Sequence, residues 1–136
     1  MATQVKATQG AKYNLNYHLV WCPKFRRPVL TGKLQVRMVE LLHQIADKWE
    51  FTILAHEVMP DHVHLFVSVP PKYSPAEIAR WFKGASSRYL KQEFPAEIGK
   101  FIWKEGMLSS PSYYVGTAGN VSSDVIKRYI LECQRL

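Results

Sequence analysis

Between Pro60 and Pro70 the chain reads Asp61-His62-Val63-His64-Leu65-Phe66-Val67-Ser68-Val69, a period-two alternation that suits an extended strand and no helix. On such a strand His62, His64, Phe66 and Ser68 line one side, while Val63, Leu65, Val67 and Val69 line the other. The valine side must be buried under a second layer, which leaves the histidine side for chemistry. Two imidazoles two residues apart on one strand face have Cα atoms about 7 Å apart, near enough to converge on one divalent ion if a third ligand arrives from elsewhere. A bare His-x-His triplet is equally what an exposed strand face with two polar residues looks like, so the surrounding pattern has to decide.

Residues 1–11 are small and polar and read as a loose leader. From 13 to 21, Tyr13, Leu15, Tyr17, Leu19 and Trp21 alternate with Asn14, Asn16, His18 and Val20, giving a first strand. Pro23 and Pro28 then break regular structure, and Lys24, Arg26 and Arg27 cluster around Phe25, a composition suited to a phosphate backbone with a base stacked beside it. Leu34, Met38, Leu41, Leu42, Ile45 and Trp49 recur at helical spacing, so 32–49 is an amphipathic helix with His43 on its surface. Residues 51–58 are rich in strand formers and, through Met59 and Pro60, form an antiparallel hairpin with the histidine strand.

Ser74-Pro75-Ala76-Glu77 has the marks of a helix start: a serine cap, proline at the first helical position and a glutamate that closes a capping box. The helix is expected to run to about residue 94, burying Ile78, Trp81, Phe82, Ala85, Tyr89 and Leu90. Lys83, Ser86, Ser87, Arg88 and Lys91 then form a polar, positive surface. Gly84 weakens the helix, which a close approach by a backbone or a DNA strand would explain. A loop with Trp103 leads to a short strand around 112–117, and Gly116 and Gly119 bracket a flexible join. Ser122 or Ser123 caps a last helix, about 122–136, with Asp124 in its first turn and Tyr129 on it. The order is therefore strand, helix, strand, strand, helix, strand, helix. This is an α+β chain, a ferredoxin-like βαββαβ sandwich with an additional C-terminal helix, forming a single domain over residues 1–136.

Eighteen Lys and Arg against eleven Asp and Glu give a net charge of +7, which favours a polyanionic partner, with nucleic acid first, and disfavours acidic protein substrates. Cys22 and Cys133 are too far apart in sequence to suggest a zinc knuckle or a disulfide framework, and they fit a reducing compartment. The N-terminus has no apolar core of signal-peptide type and no apolar run approaches the length of a membrane span. The expected location is therefore the cytoplasm, with no membrane partner.

Three separated stretches, "HLVWCPKFRRPVL", "EVMPDHVHLFVSVPP" and "SYYVGTAGNVSSDVIKRYI", together resemble the single-tyrosine HUH transposases of bacterial and archaeal insertion sequences. "FKGASSRYL" is similar to the second helix of that family, and the likeness runs in order from Tyr13 to Ile130. It implies a small homodimer, with active sites that can be composite, which cuts and rejoins single-stranded DNA at element ends after recognising short hairpins. By this likeness Tyr129 is the nucleophile, and His62 and His64 hold Mg²⁺ or Mn²⁺ at the scissile phosphate. The positions of Lys24, Arg26, Arg27, Lys83, Ser86 and Arg88 would hold DNA. The chemistry is coherent: a phenol with a pKa of about 10 needs a cation on the phosphate to act as a nucleophile, and the phosphotyrosine formed keeps the bond energy needed for rejoining.

One position departs from the family. Its third metal ligand is commonly a glutamine one helical turn after the tyrosine, where this chain has Cys133, a poor partner for Mg²⁺. Glu132 lies about 60° from Tyr129 around a helix and Gln134 about 140°, so Glu132 is the better-placed replacement unless the last turn frays. The other readings are a domesticated relative that cuts repeated hairpin elements, a hairpin-binding protein with weakened catalysis, and a metal-binding structural protein unconnected with DNA.

Overall fold

The structure, a computed structural model, describes residues 5–8, 11–102, 107–117 and 131. Strands β1 (Lys6–Thr8) and β2 (Ala11–Tyr13) form a small antiparallel ribbon, so part of the expected leader is ordered pairing rather than loose chain. Lys6 Nζ donates to Thr52 Oγ1 at 3.1 Å, tying this ribbon to the main sheet.

The main sheet contains β3 (Leu15–Trp21), β4 (Thr52–Met59), β5 (His62–Val69) and β6 (Tyr114–Thr117) in the order β4-β5-β3-β6, every neighbour antiparallel. Helix α1 (Gly32–Trp49) joins β3 to β4. The second crossover, between β5 and β6, holds α2 (Pro75–Ala79), a π-helical turn (Arg80–Ala85), α3 (Ser86–Glu93) and α4 (Pro95–Gly99). This is the expected ferredoxin-like βαββαβ arrangement. Period-two alternation works as read: Val63, Leu65, Val67 and Val69 are buried with Leu19 and Trp21 against Leu34, Met38, Leu41, Leu42 and Ile45 of α1. Full burial of each such side chain contributes about 1.5–3 kcal/mol. Among the described residues no helix is long and apolar enough to cross a membrane.

The capping box is present: Glu77 N donates to Ser74 Oγ at 3.1 Å, and Ser74 N donates to Glu77 Oε1 at 3.0 Å. The helix it starts departs from regular winding. Its buried positions are Ile78, Phe82, Ser86 and Leu90, with Ala79 and Ser87 beside them, whereas Tyr89 is exposed. A spacing of four drifts around a regular α-helix, and the wider π turn cancels part of that drift. The turn therefore carries Ser86 under the helix and Tyr89 out of it, the reverse of what helical spacing alone predicts. Gly84 is not required by crowding within the described chain, since a Cβ there would meet only Arg80 Cγ at 3.9 Å.

Candidate active site

β5 lies between β3 and β4, and the antiparallel registers decide which side chains meet on the face away from the helices. His64 pairs with Val20 on one side and Glu57 on the other, Phe66 pairs with His18, and His62 pairs with Met59. A pocket of about 180 Å³ opens here, lined by His18, Ala55, His56, Glu57, His64 and Phe66. His18 stacks on Phe66 with ring centroids 4.4 Å apart and the planes 3° from parallel. Its Nδ1 lies 2.9 Å from His64 Nε2, so one of the two nitrogens donates to the other. His56 leaves the group from the other side of its strand, its ring 5.5 Å from that of exposed His43 on α1.

His62 is held between the turn before its strand and the neighbouring strand β4. Its Nδ1 lies 3.0 Å from Asp61 Oδ1, and its Nε2 lies 3.6 Å from Glu57 Oε1. Asp61 Oδ2 in turn pairs with Arg26 Nε at 3.4 Å. Burial pushes the pKa of His64 down first, the nearby His18 and His62 push it further, and Glu57 opposes them. Burial also lowers that of His18. Both shifts favour the neutral imidazole, the form that offers a lone pair to a metal.

These donors suit a divalent ion. Two imidazoles share one strand face, a carboxylate lies beside them, and nitrogen with oxygen is a donor set that Mn²⁺ accepts. Among the described residues no three His, Cys, Asp or Glu side chains form a metal-holding group, so an ion held by the two imidazoles would need a further ligand from elsewhere. Tyr129, Glu132, Cys133 and Gln134, with nearly all of the expected final helix, lie outside the described residues; Leu131, which is described, is helical and exposed.

The expected DNA contacts divide. Arg27 is exposed and Lys24 is half-buried, its ammonium 5.7 Å from the centre of the Phe25 ring. Arg26 is committed to Asp61. Phe25 (φ 57°, ψ 21°) and Arg26 (φ 54°) are successive non-glycine residues in left-handed conformation, which costs about 1–2 kcal/mol each. Lys83 and Arg88 border a cleft of about 220 Å³ with Gly84, Ser87, Lys91 and Met107–Ser109, and the hydroxyls of Ser87 and Ser109 bond to each other across it. Burial pushes the Lys83 ammonium pKa down, a cost that a bound phosphate would offset. Ser86, expected among the DNA contacts, is instead fully buried with its Oγ donating to Lys83 O at 3.3 Å, because of the π turn.

His18, Glu57 and Asp61 were not singled out by sequence reasoning. His18 carried a signal in its place on the non-core side of the first strand, and Asp61 in its adjacency to His62. Glu57 needed the cross-strand register.

The family model described as "Transposase IS200 like" matches residues 11–133. The ISDra2 transposase TnpA of Deinococcus radiodurans is 35% identical over 127 residues, covering 93% of this chain and 89% of the relative. The transposase for insertion sequence element IS200 of Salmonella typhimurium is 29% identical over 130 residues, covering 93% and 84%. A crystal structure of a Deinococcus radiodurans protein described as a transposase superposes with a TM-score of 0.84 at 34% identity, over 95% of this chain and 97% of that one. The structure of a REP-associated tyrosine transposase bound to a REP hairpin gives a TM-score of 0.54 at 14% identity, over 96% of this chain and 68% of that one, and bears on the fold alone.

Proposed function

This chain belongs to the IS200-like transposases, and from that premise we propose that it cuts and rejoins single-stranded DNA at the ends of an insertion sequence after binding hairpins there. It acts in the cytoplasm as a homodimer, with the tyrosine helix of one subunit completing the other's site. The observation that carries the reading is the pair of imidazoles, His62 and His64, on one open face of a central strand, in a chain whose family match continues through Tyr129.

His62 and His64 would hold Mg²⁺ or Mn²⁺, with a third ligand drawn from Glu132, Cys133 or Gln134; Glu132 is the choice, because a thiol suits a hard cation poorly and Gln134 falls farther from Tyr129 around a helix. When bound, the ion withdraws charge from the scissile phosphate. Tyr129 Oη attacks phosphorus: the Oη–P bond forms, the P–O3′ bond breaks, the phenolic proton passes to solvent, and the departing oxygen takes up a proton as a 3′-hydroxyl. The 5′-phosphotyrosine keeps the bond energy, so a second 3′-hydroxyl reverses the exchange without ATP. Lys24, Arg27, Lys83 and Arg88 hold the backbone phosphates.

Likeness to the ISDra2 transposase over 93% of this chain supports a self-mobile element over a domesticated hairpin nuclease. One residue favours a second reading: Cys133 in place of the family glutamine points to a hairpin binder with weakened catalysis. Incubation of the dimer with hairpin-bearing single-stranded DNA and Mn²⁺ separates the two. A denaturant-resistant adduct that disappears in Tyr129→Phe is expected; retarded mobility with no adduct in the wild type supports the binder.

A further inference from the structure

The basic turn after β3 is bent against its own backbone preference, and what the bend achieves is specific. Lys24 N donates to Leu108 O at 2.7 Å, Pro23 bridges to Ser109, and Leu30 N donates to Pro60 O at 3.0 Å. Held at these points, the left-handed residues Phe25 and Arg26 differ in exposure: Phe25 is 51% exposed, while the Arg26 side chain is only 22% exposed and reaches the β4–β5 turn. There its Nε reaches Asp61 Oδ2, and Asp61 Oδ1 accepts from His62 Nδ1. A neutral imidazole that donates its Nδ1–H in a hydrogen bond to a carboxylate keeps its lone pair on Nε2, and His62 Nε2 is the nitrogen on the Glu57 side.

We propose that Asp61 and Arg26 are positioning residues. Asp61 fixes the tautomer and the aim of His62 as a metal ligand, and Arg26, rather than gripping DNA, fixes Asp61. This rests on the reading of His62 as a ligand. The outer carboxylate strengthens the ligand as outer partners of metal-bound histidines do. The arginine keeps that carboxylate from turning to solvent, where an isolated surface pair would contribute little. Of the three cations in the turn, Lys24 and Arg27 are left for phosphate.

Two readouts on the full-length protein, both without DNA, test the pair. Nitrogen-15 NMR at a pH where the ring is neutral should find His62 as the Nδ1–H tautomer in the wild type and shifted toward Nε2–H in Asp61→Ala. Free-Mn²⁺ titration followed by EPR should show affinity about 10- to 100-fold weaker in Asp61→Ala, part of it restored in Asp61→Glu, and a smaller loss in Arg26→Ala. In hairpin-binding assays Arg26→Ala should keep the wild-type salt slope while Arg27→Ala loses about one unit of it. An unchanged tautomer or unchanged Mn²⁺ affinity in Asp61→Ala overturns the proposal. So does an Arg26→Ala protein that loses salt slope with Mn²⁺ affinity intact. Should Asp61→Ala not fold, Asp61→Asn, which lacks the charge, still has to bind Mn²⁺ more weakly than the wild type. A wild-type protein that gives no DNA adduct while these readouts hold would sink the transposase chemistry and leave the positioning pair standing.

Discussion

His62 and His64 sit two residues apart on one strand yet live in different surroundings. His62 leans on a carboxylate held by an arginine, and His64 leans on a second imidazole that is itself stacked on Phe66. Neither ring supports the core, which lies on the opposite side of β5. His62→Ala and His64→Ala should each abolish DNA cleavage, by more than a hundredfold in adduct yield, while hairpin affinity and the urea midpoint stay close to wild type; equal loss of binding would make the rings structural. The pair itself was legible because a strand repeats every two residues, so shared facing follows from spacing. Their supports were not, because His18 and Glu57 join the group through register with β3 and β4, and register is a property of the assembled sheet. Arg26 was read as a phosphate contact because its composition is that of one. Only its left-handed backbone, which residue types do not announce, turns it onto Asp61.

At the level of elements, the second crossover shows where pattern reading holds and where it gives way. Its start was legible down to the capping box, because serine, proline and glutamate there each have one local job. Ser74→Ala should lower stability to urea by about 1 kcal/mol. Hydrogen bonds from the Ser74 backbone, and then from its side chain, hold the Glu77 carboxyl below its ordinary value. A depressed carboxylate contributes its stability above the ordinary carboxylate range and loses it as pH falls through the lowered value. The gap between wild type and Glu77→Gln, which cannot ionise, should therefore be full at neutral pH and narrow in acid; a gap that does not narrow would show that Glu77 is not part of the cap. Further along, the π turn re-indexes the buried face, and Ser86 and Tyr89 exchange the environments that a 3.6-residue period assigns them. Nothing in local composition marks such a turn.

For the whole molecule, the sandwich was readable because strand and helix patterns alternate cleanly and each crossover has one natural place to pack. The net charge of +7 is a property at the same scale, and it should appear as salt dependence of hairpin binding. Removing Lys83 and Arg88 together should flatten the plot of log affinity against log salt by about two units. Adduct formation at saturating DNA should be unaffected, and an unchanged slope would take the cleft beside the π turn out of the DNA path. The place of β5 in the sheet carries a further consequence. A strand whose amides and carbonyls are engaged along both margins cannot trade neighbours without dissolving the domain, so β5, like β3 beside it, is among the described residues least free to travel. In the proposed reaction the imidazoles are then the stationary reference, and the DNA ends and the tyrosine arm are brought to them.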